Sequence, residues 1–158
     1  MKRRIYIETS VVSYYVSKPS KNIIIAGHQV STIDFWDLLG DFDVYISDVV
    51  IQEASQGDAC QARKRLDALA NFPVLEIDDE VKALVKALLN GKSIAKEYPE
   101  DALHIAVAAK HGIDVIVTWN YKHINNPFTR MMVRQVIENE GFACPEICSP
   151  NELLGDET

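Results

Sequence analysis

Four residues with oxygen-bearing side chains stand where strands are expected to end or helices to begin. Glu8 directly follows the apolar strand segment IYI, and Glu53 lies on a short helical segment after a second strand. Asp101 falls in the first turn of a helix that begins with proline, and Asn120 follows the apolar run VIVTW. Carboxylate and carbonyl oxygens are ligands that suit Mg²⁺ or Mn²⁺. Jointly, the four positions predict a pocket of oxygen ligands for a divalent cation.

Each of these residues also has an ordinary structural interpretation. Glu8, followed by two hydroxyl residues, is compatible with a surface strand end and a helix N-cap. Glu53 is compatible with a solvated helix face, and Asn120 with a turn. Asp101 could complement the dipole of its helix, an effect of about 0.3–1 kcal/mol. However, the segment DALHIAVAA is apolar almost all round, which is typical of a buried helix, where a carboxylate is costly unless a cation or donors meet it.

The elements that must position these residues alternate between short β-branched runs and helical stretches. We predict strands over residues 4–8, 44–47, 74–77, 115–119 and 146–148, and helices over residues 26–39, 48–55, 58–70, 79–89, 99–111 and 127–140. The last two helices begin with proline and end before Gly112 and Gly141. Continuous apolar strands separated by helices indicate an α/β fold: a three-layer sandwich with a central, mostly parallel sheet flanked by helices. Ligands of such sheets gather at the carboxyl ends of the strands.

The length of 158 residues predicts a single domain over residues 1–158, with a loose acidic tail over residues 151–158. No apolar run approaches the roughly 20 residues of a membrane span. The basic MKRR start has no cleavage-like sequel, so we expect a cytoplasmic protein without membrane association.

Charge and cysteine content limit the classes of function. The net charge of −7 argues against gripping nucleic acid through bulk electrostatics, although bound cations can still bring phosphates in. Three cysteines are too few for a disulfide framework and lack the partners of a zinc site, so we expect reduced thiols: Cys60, Cys144 and Cys148.

The chain resembles the PIN-domain family over nearly its whole length, and within that family the VapC-like toxins of type II toxin–antitoxin pairs. The resemblance lies in IYIETSVVSYY, in YISDVVIQEA, in YPEDALHIAVAAKHGIDVIVTWNYKHI and in the closing PEICSPNELL. Members usually carry an acid after the first strand, a Glu on the helix after the second, an Asp opening a central helix, and an Asp or Asn after the next strand. The positions that match are Glu8, Glu53, Asp101 and Asn120.

The resemblance implies a PIN-like endoribonuclease that depends on Mg²⁺ or Mn²⁺, serves as a toxin, binds an antitoxin protein and forms a homodimer. Glu8 and Asp101 then hold the principal ion. Glu53 orients the attacking water or supports a second ion, and Asn120 positions a ligand or hydrated ion. Three residues are expected to supply hydroxyls to water or phosphate: Thr9, Ser10 and Thr118.

Other side chains have more than one interpretation. Arg130 and Arg134 lie four residues apart on one helix side and are candidates for contact with the RNA backbone or a partner, with solvent exposure as the favoured alternative. Trp119, beside Asn120, is either a base-stacking platform or a core residue, and the second interpretation is favoured.

Two departures from the family pattern keep other hypotheses open. The usual first acid is Asp, whereas Glu8 is one methylene longer, and the frequent fourth acid is replaced by the neutral Asn120. One alternative is therefore a catalytically weakened PIN-fold binding or regulatory module that acts with an antitoxin. Another is a different acidic-pocket enzyme, such as a metal-dependent phosphatase, but that chemistry normally requires a nucleophilic Asp where this chain has Glu8.

Overall fold

The computed structural model describes residues 1–155 and contains a five-stranded parallel sheet in the order β3-β2-β1-β4-β5. Its strands are β1 (Arg3–Ile7), β2 (Phe42–Ser47), β3 (Val74–Leu75), β4 (Val115–Val117) and β5 (Glu146–Cys148). All five lie where strands were predicted, but β1, β3 and β4 end one or two residues earlier than predicted. As a result, Glu8, Thr118 and Trp119 lie just beyond the strands.

Seven α-helices accompany the sheet in the described part of the chain: α1 (Thr9–Val16), α2 (Ile23–Asp37), α3 (Asp48–Ala54), α4 (Ala59–Leu69), α5 (Asp79–Asn90), α6 (Pro99–Lys110) and α7 (Pro127–Asn139). Helices α1 to α4 link β1, β2 and β3, and α2, α3 and α4 all pack against α1. Helix α5 packs against α6 and α7. Because crossovers between parallel strands are right-handed, the two groups cover opposite faces of the sheet. The predicted three-layer sandwich is confirmed. Gly112 and Gly141, which follow α6 and α7, adopt the positive φ values of 69° and 88° that favour glycine.

Helix α1 was not predicted, because its sequence TSVVSYYV is rich in residues that favour strands. Val11 and Val12 are fully buried in the core, so tertiary packing stabilises the helix against its weak local preference. Glu8 occupies the N-cap position and makes no side-chain cap hydrogen bond. The interpretation of this stretch as a surface strand end is wrong, because Glu8 is only 5% exposed.

The C-terminal segment is held more firmly than predicted. Pro150–Leu154 form a 3-10 helix whose start is stabilised by a capping box between Ser149 and Glu152. Leu153 and Leu154 pack against the core, and the segment contacts α2. The predicted loose tail is therefore wrong for residues 151–154, and its last residues, 156–158, lie outside the described part of the chain. None of the helices described is long and apolar enough to cross a bilayer.

The strand order reverses between β1 and β4, since the chain moves from β1 towards one edge and returns at β4 towards the other. This is the position at which open parallel sheets form a ligand-binding crevice. Ile7 is in register with Val117, and the Glu8 backbone N–H donates to the Val117 carbonyl at 3.1 Å. Glu8 and Thr118 are therefore neighbours at this crevice.

Candidate metal centre

Glu8 is held by hydroxyl groups on both sides of the crevice. Its Oε1 accepts hydrogen bonds from Ser10 Oγ at 2.5 Å and from Thr118 Oγ1 at 2.6 Å. Each hydroxyl in turn accepts from a backbone N–H of the loop after β4, Ser10 from Trp119 and Thr118 from Asn120, both at 2.9 Å. The loop thus fixes the hydroxyls, and the hydroxyls fix the buried carboxylate.

Glu53 and His104 form a second pair, brought together by α3 and α6. The fully buried His104 places Nε2 2.7 Å from Glu53 Oε1, and Thr9 Oγ1 donates to the same oxygen at 2.7 Å. On its other side, His104 Nδ1 lies 2.7 Å from the Tyr6 hydroxyl, which lies 2.7 Å from Ser47 Oγ. Four polar side chains therefore form one continuous chain through the core, from Ser47 to Glu53.

The charges of this pair support each other. Burial raises the pKa of Glu53, but the hydrogen bonds from His104 and Thr9 and the charge of His104 outweigh it, so the pKa lies below its usual value. Burial lowers the pKa of His104, but the bond to Glu53 and the charges of Glu8, Glu53 and Asp101 outweigh it, so the pKa is raised. Because an ionised carboxylate only accepts hydrogen bonds, Nε2 carries the proton that His104 donates to Glu53.

Asp101 occupies the first turn of α6 and is only 9% exposed. Its Oδ2 lies 3.0 Å from His123 Nδ1, and its Oδ1 receives a long, 3.4 Å hydrogen bond from Asn120 Nδ2. Asn120 Oδ1 also accepts from the His123 backbone N–H at 3.0 Å. Burial raises the pKa of Asp101, with the charges of His104 and His123 opposing it and that of Glu8 adding to it.

These groups form one cluster. Ligand atoms of Glu8, Glu53 and His104 all lie within 4.8 Å of one another, and Thr118 and Asn120 connect Glu8 with Asp101. Seven residues that the sequence predicted for the site thus meet at one place: Glu8, Thr9, Ser10, Glu53, Asp101, Thr118 and Asn120. The hydroxyls of Thr9, Ser10 and Thr118 each donate to a carboxylate, and those of Ser10 and Thr118 also accept from the loop after β4.

The donor set fits a divalent cation. Within residues 1–155, no Lys or Arg forms an ion pair with Glu8, Glu53 or Asp101. Buried carboxylates without a cation are costly, and hard oxygen ligands at a crevice suit Mg²⁺ or Mn²⁺. His104 is less suited to ligate an ion through Nε2, because that atom already donates to Glu53.

The two candidate arginines differ in their surroundings. Arg130 donates to Asn125 Oδ1 at 2.6 Å, and the buried Asn125 donates to the Thr118 carbonyl at 3.2 Å. Arg130 is thereby linked to the loop that supports Glu8. Arg134 lies beside Glu138 and Glu146, at 3.3 and 3.0 Å, so its charge is balanced locally.

His104 and His123 contact acids of the site but were not among the residues predicted for it. The available signal for His104 was its position one turn after Asp101 on a helix with buried residues all round. For His123, the available signal was its position three residues after Asn120. Its contact with Asp101 depends on the path of the loop after β4, which the sequence spacing does not give.

The comparison with protein families agrees with this geometry. The model of the PIN domain matches residues 5–128, a stretch that contains every residue of the cluster. No curated protein matches the chain. Members of this family are typically nucleases that depend on divalent metal ions. The match covers most of the chain, which therefore belongs to the PIN-domain family.

Proposed function

We propose that this protein is an endoribonuclease that hydrolyses RNA phosphodiester bonds with Mg²⁺ or Mn²⁺. One observation carries the proposal: in a PIN domain, at the strand-order reversal, ligand atoms of Glu8 and Glu53 lie within 4.8 Å of each other and Asp101 is linked to Glu8 through Asn120 and Thr118. No Lys or Arg of the described chain is paired to any of these three acids. Such an arrangement costs stability unless a cation compensates it. A binding role for the cluster explains that cost.

Glu8 and Asp101 are the residues that would hold the principal ion. Each carboxylate is fixed by two contacts: Glu8 by two hydroxyls that donate to Oε1, and Asp101 by Asn120 at Oδ1 and His123 at Oδ2. A bound divalent ion supplies Lewis-acid stabilisation of the phosphate charge and lowers the pKa of coordinated water.

Glu53 is suited to orient the attacking water or to support a second ion. Its Oε1 is held by His104 and Thr9, while its side chain remains 30% exposed, so it reaches the solvent of the crevice in a fixed orientation. A carboxylate that is ionised at neutral pH and faces water can accept a proton from it. Asn120, being neutral, orients Asp101 and weakens any second ion site.

We further propose that the protein is a toxin that is held inactive by an antitoxin and acts in the cytoplasm as a homodimer. Besides the family resemblance, an apolar surface on α2 supports a protein partner: Ile23, Ile24 and Val30 are 88, 70 and 59% exposed. Contiguous exposed apolar surface is typical of interaction sites. Sedimentation of the purified protein, alone and with the product of any adjacent small reading frame, tests this part.

Cleavage of an RNA pool tests the enzymatic part. We expect cleavage with Mn²⁺ or Mg²⁺, none with EDTA, and a loss of roughly a hundredfold or more in Asp101→Asn, since the negative charge of the metal ligand is removed while its shape is kept. Glu100→Gln is the matched control, because Glu100 is an exposed acid in the same helical turn. Cleavage that survives both EDTA and Asp101→Asn would refute the mechanism. Tight RNA or partner binding without cleavage would favour the weakened regulatory module.

A further inference from the structure

Tyr98 has an exposed aromatic ring that is connected to the candidate metal centre through His123. The ring stacks on His123 with a centroid distance of 3.9 Å and an interplanar angle of 28°. His123 Nδ1 lies 3.0 Å from Asp101 Oδ2. Tyr98 is 41% exposed, so one ring face is supported by the imidazole and the outer side is open to solvent.

Tyr121 presents a second exposed ring, directly after Asn120 in the chain. It is 44% exposed and makes edge contacts with His28 and Trp119 at centroid distances of 6.0 and 6.2 Å. Its backbone N–H donates to the Trp119 carbonyl at 2.8 Å, which fixes it to the same loop as Asn120. Tyr98 is therefore supported by a residue that contacts Asp101, Tyr121 is supported by His28 and Trp119, and both rings are still accessible.

We propose that Tyr98 and Tyr121 form a rim on which unpaired RNA bases stack, so that the phosphodiester backbone between those bases passes over the carboxylate cluster. The inference rests on the proposed ribonuclease function and assigns to it two residues that would contact the bases of the substrate. Every base offers a π-face, so stacking on the two rings gives affinity with little sequence preference.

The chemistry of the surroundings favours bases over other ligands. The net charge of −7 and the acidic cluster repel phosphate at long range, so contacts that do not depend on charge must supply affinity. Lys122, exposed between Tyr121 and His123, adds one local cation for the backbone. Trp119 does not provide this contact, because it is 5% exposed, stacks under His28 and donates Nε1–H to Thr32.

A duplex does not fit this rim. Within a double helix each base is stacked on its neighbours and paired on its edge, so its face is not available to a protein ring. Two separate rings that each need a base face therefore select strands whose bases are free to turn outwards.

Binding of a fluorescein-labelled 12-nucleotide RNA without secondary structure tests the inference, measured by anisotropy with Ca²⁺ in place of the catalytic metals. Tyr98→Leu and Tyr121→Leu keep apolar bulk but remove the π-face. Each is expected to weaken single-strand binding roughly 5- to 150-fold, the range for one stacked base. Tyr98→Phe and Tyr121→Phe are the matched controls and should bind within about twofold of the wild type. The same RNA annealed to its complement should bind more weakly, and equally to all variants.

Three results would overturn the rim: no single-strand binding by the wild type, single-strand affinity unchanged in the leucine variants, or equal losses for single strand and duplex. Unchanged RNA affinity is also the result expected if the tyrosines contact a protein partner instead. Cleavage with Mn²⁺ and with EDTA is measured in parallel on the wild type. Metal-dependent cleavage with unaffected leucine variants refutes only the rim. Tyrosine-dependent binding without any cleavage refutes only the nuclease.

Discussion

His104 offers a test of how the core orients the acidic cluster. Its two ring nitrogens contact different partners, Nε2 with Glu53 and Nδ1 with Tyr6. Substitutions can separate the two contacts: the amide of His104→Gln reaches the position of Nε2, and the shorter amide of His104→Asn reaches that of Nδ1. The glutamine variant should thus keep the bond to Glu53, and the asparagine variant the bond to Tyr6.

The expected free energies follow from the kind of bond that each variant loses. At a pH above the raised pKa of His104, where the imidazole is neutral, His104→Asn loses a hydrogen bond to the charged Glu53, worth about 1.5–3 kcal/mol, whereas His104→Gln loses a neutral bond to Tyr6, worth about 0.5–1.5 kcal/mol. Tyr6 still has Ser47 as a partner, and Glu53 still has Thr9, so neither variant leaves an orphaned group. We therefore expect His104→Asn to be the less stable of the two by about 1 kcal/mol or more.

Urea unfolding in EDTA measures the stability difference, and titration calorimetry with Mn²⁺ measures the effect on the site. If His104 positions Glu53, the glutamine variant keeps an affinity for Mn²⁺ near that of the wild type, and the asparagine variant loses roughly tenfold, or 1.4 kcal/mol. Equal losses of stability in both variants, or a large loss of Mn²⁺ affinity in His104→Gln, would refute the reasoning. The second result would instead identify Nε2 as a metal ligand.

Three further predictions concern the same cluster. The pKa of His104 in the folded protein is raised above 6.5. In EDTA, the stability advantage of the wild type over His104→Gln should therefore be complete below pH 6.5 and shrink as the pH rises through the raised pKa. Thermal melts across about pH 6–9 measure this dependence. Thr118→Val should lower the free energy of unfolding by about 1–3 kcal/mol in urea, because it leaves the Asn120 N–H without its acceptor and removes one donor to Glu8; an unchanged midpoint would contradict this. Asn120→Asp should lower stability in EDTA by about 1–2 kcal/mol, since it replaces a donor to Asp101 with a like charge, yet bind Mn²⁺ roughly tenfold tighter by calorimetry; weaker binding would show that Asn120 is not beside the ion.

Local sequence signals were sufficient for most of the fold. Apolar β-branched runs located the five strands, and proline with glycine located the ends of α6 and α7. The exception was α1, where local preference and tertiary structure disagree. Its residues favour a strand, and only the burial of Val11 and Val12 makes a helix the better solution. A local pattern carries no information about that burial.

Glu8 and Asp101 were predictable for a topological reason, because Glu8 follows β1 and Asp101 lies in the first turn of α6 at the carboxyl edge of the sheet. Glu53 lies near the end of the short helix α3 that follows β2. Their hydrogen-bond partners were not predictable in the same way. His104 and Glu53 are 51 residues apart, and His123 reaches Asp101 across 22 residues. Such contacts depend on the relative placement of whole elements, which no spacing along the chain reveals.

Donors from other elements surround the acids of the cluster and offset part of the cost of bringing the carboxylates together. Three buried or half-buried acids each receive a donor from another element: Glu8 from Thr118, Glu53 from His104, and Asp101 from Asn120 and His123. These donors offset part of the desolvation of the acids, and the imidazole offsets part of their mutual repulsion. The donors thus hold each acid of the cluster in a fixed position. Because the compensation comes from hydroxyl, amide and imidazole groups and not from Lys or Arg of the described chain, negative charge remains at the crevice to attract a divalent cation.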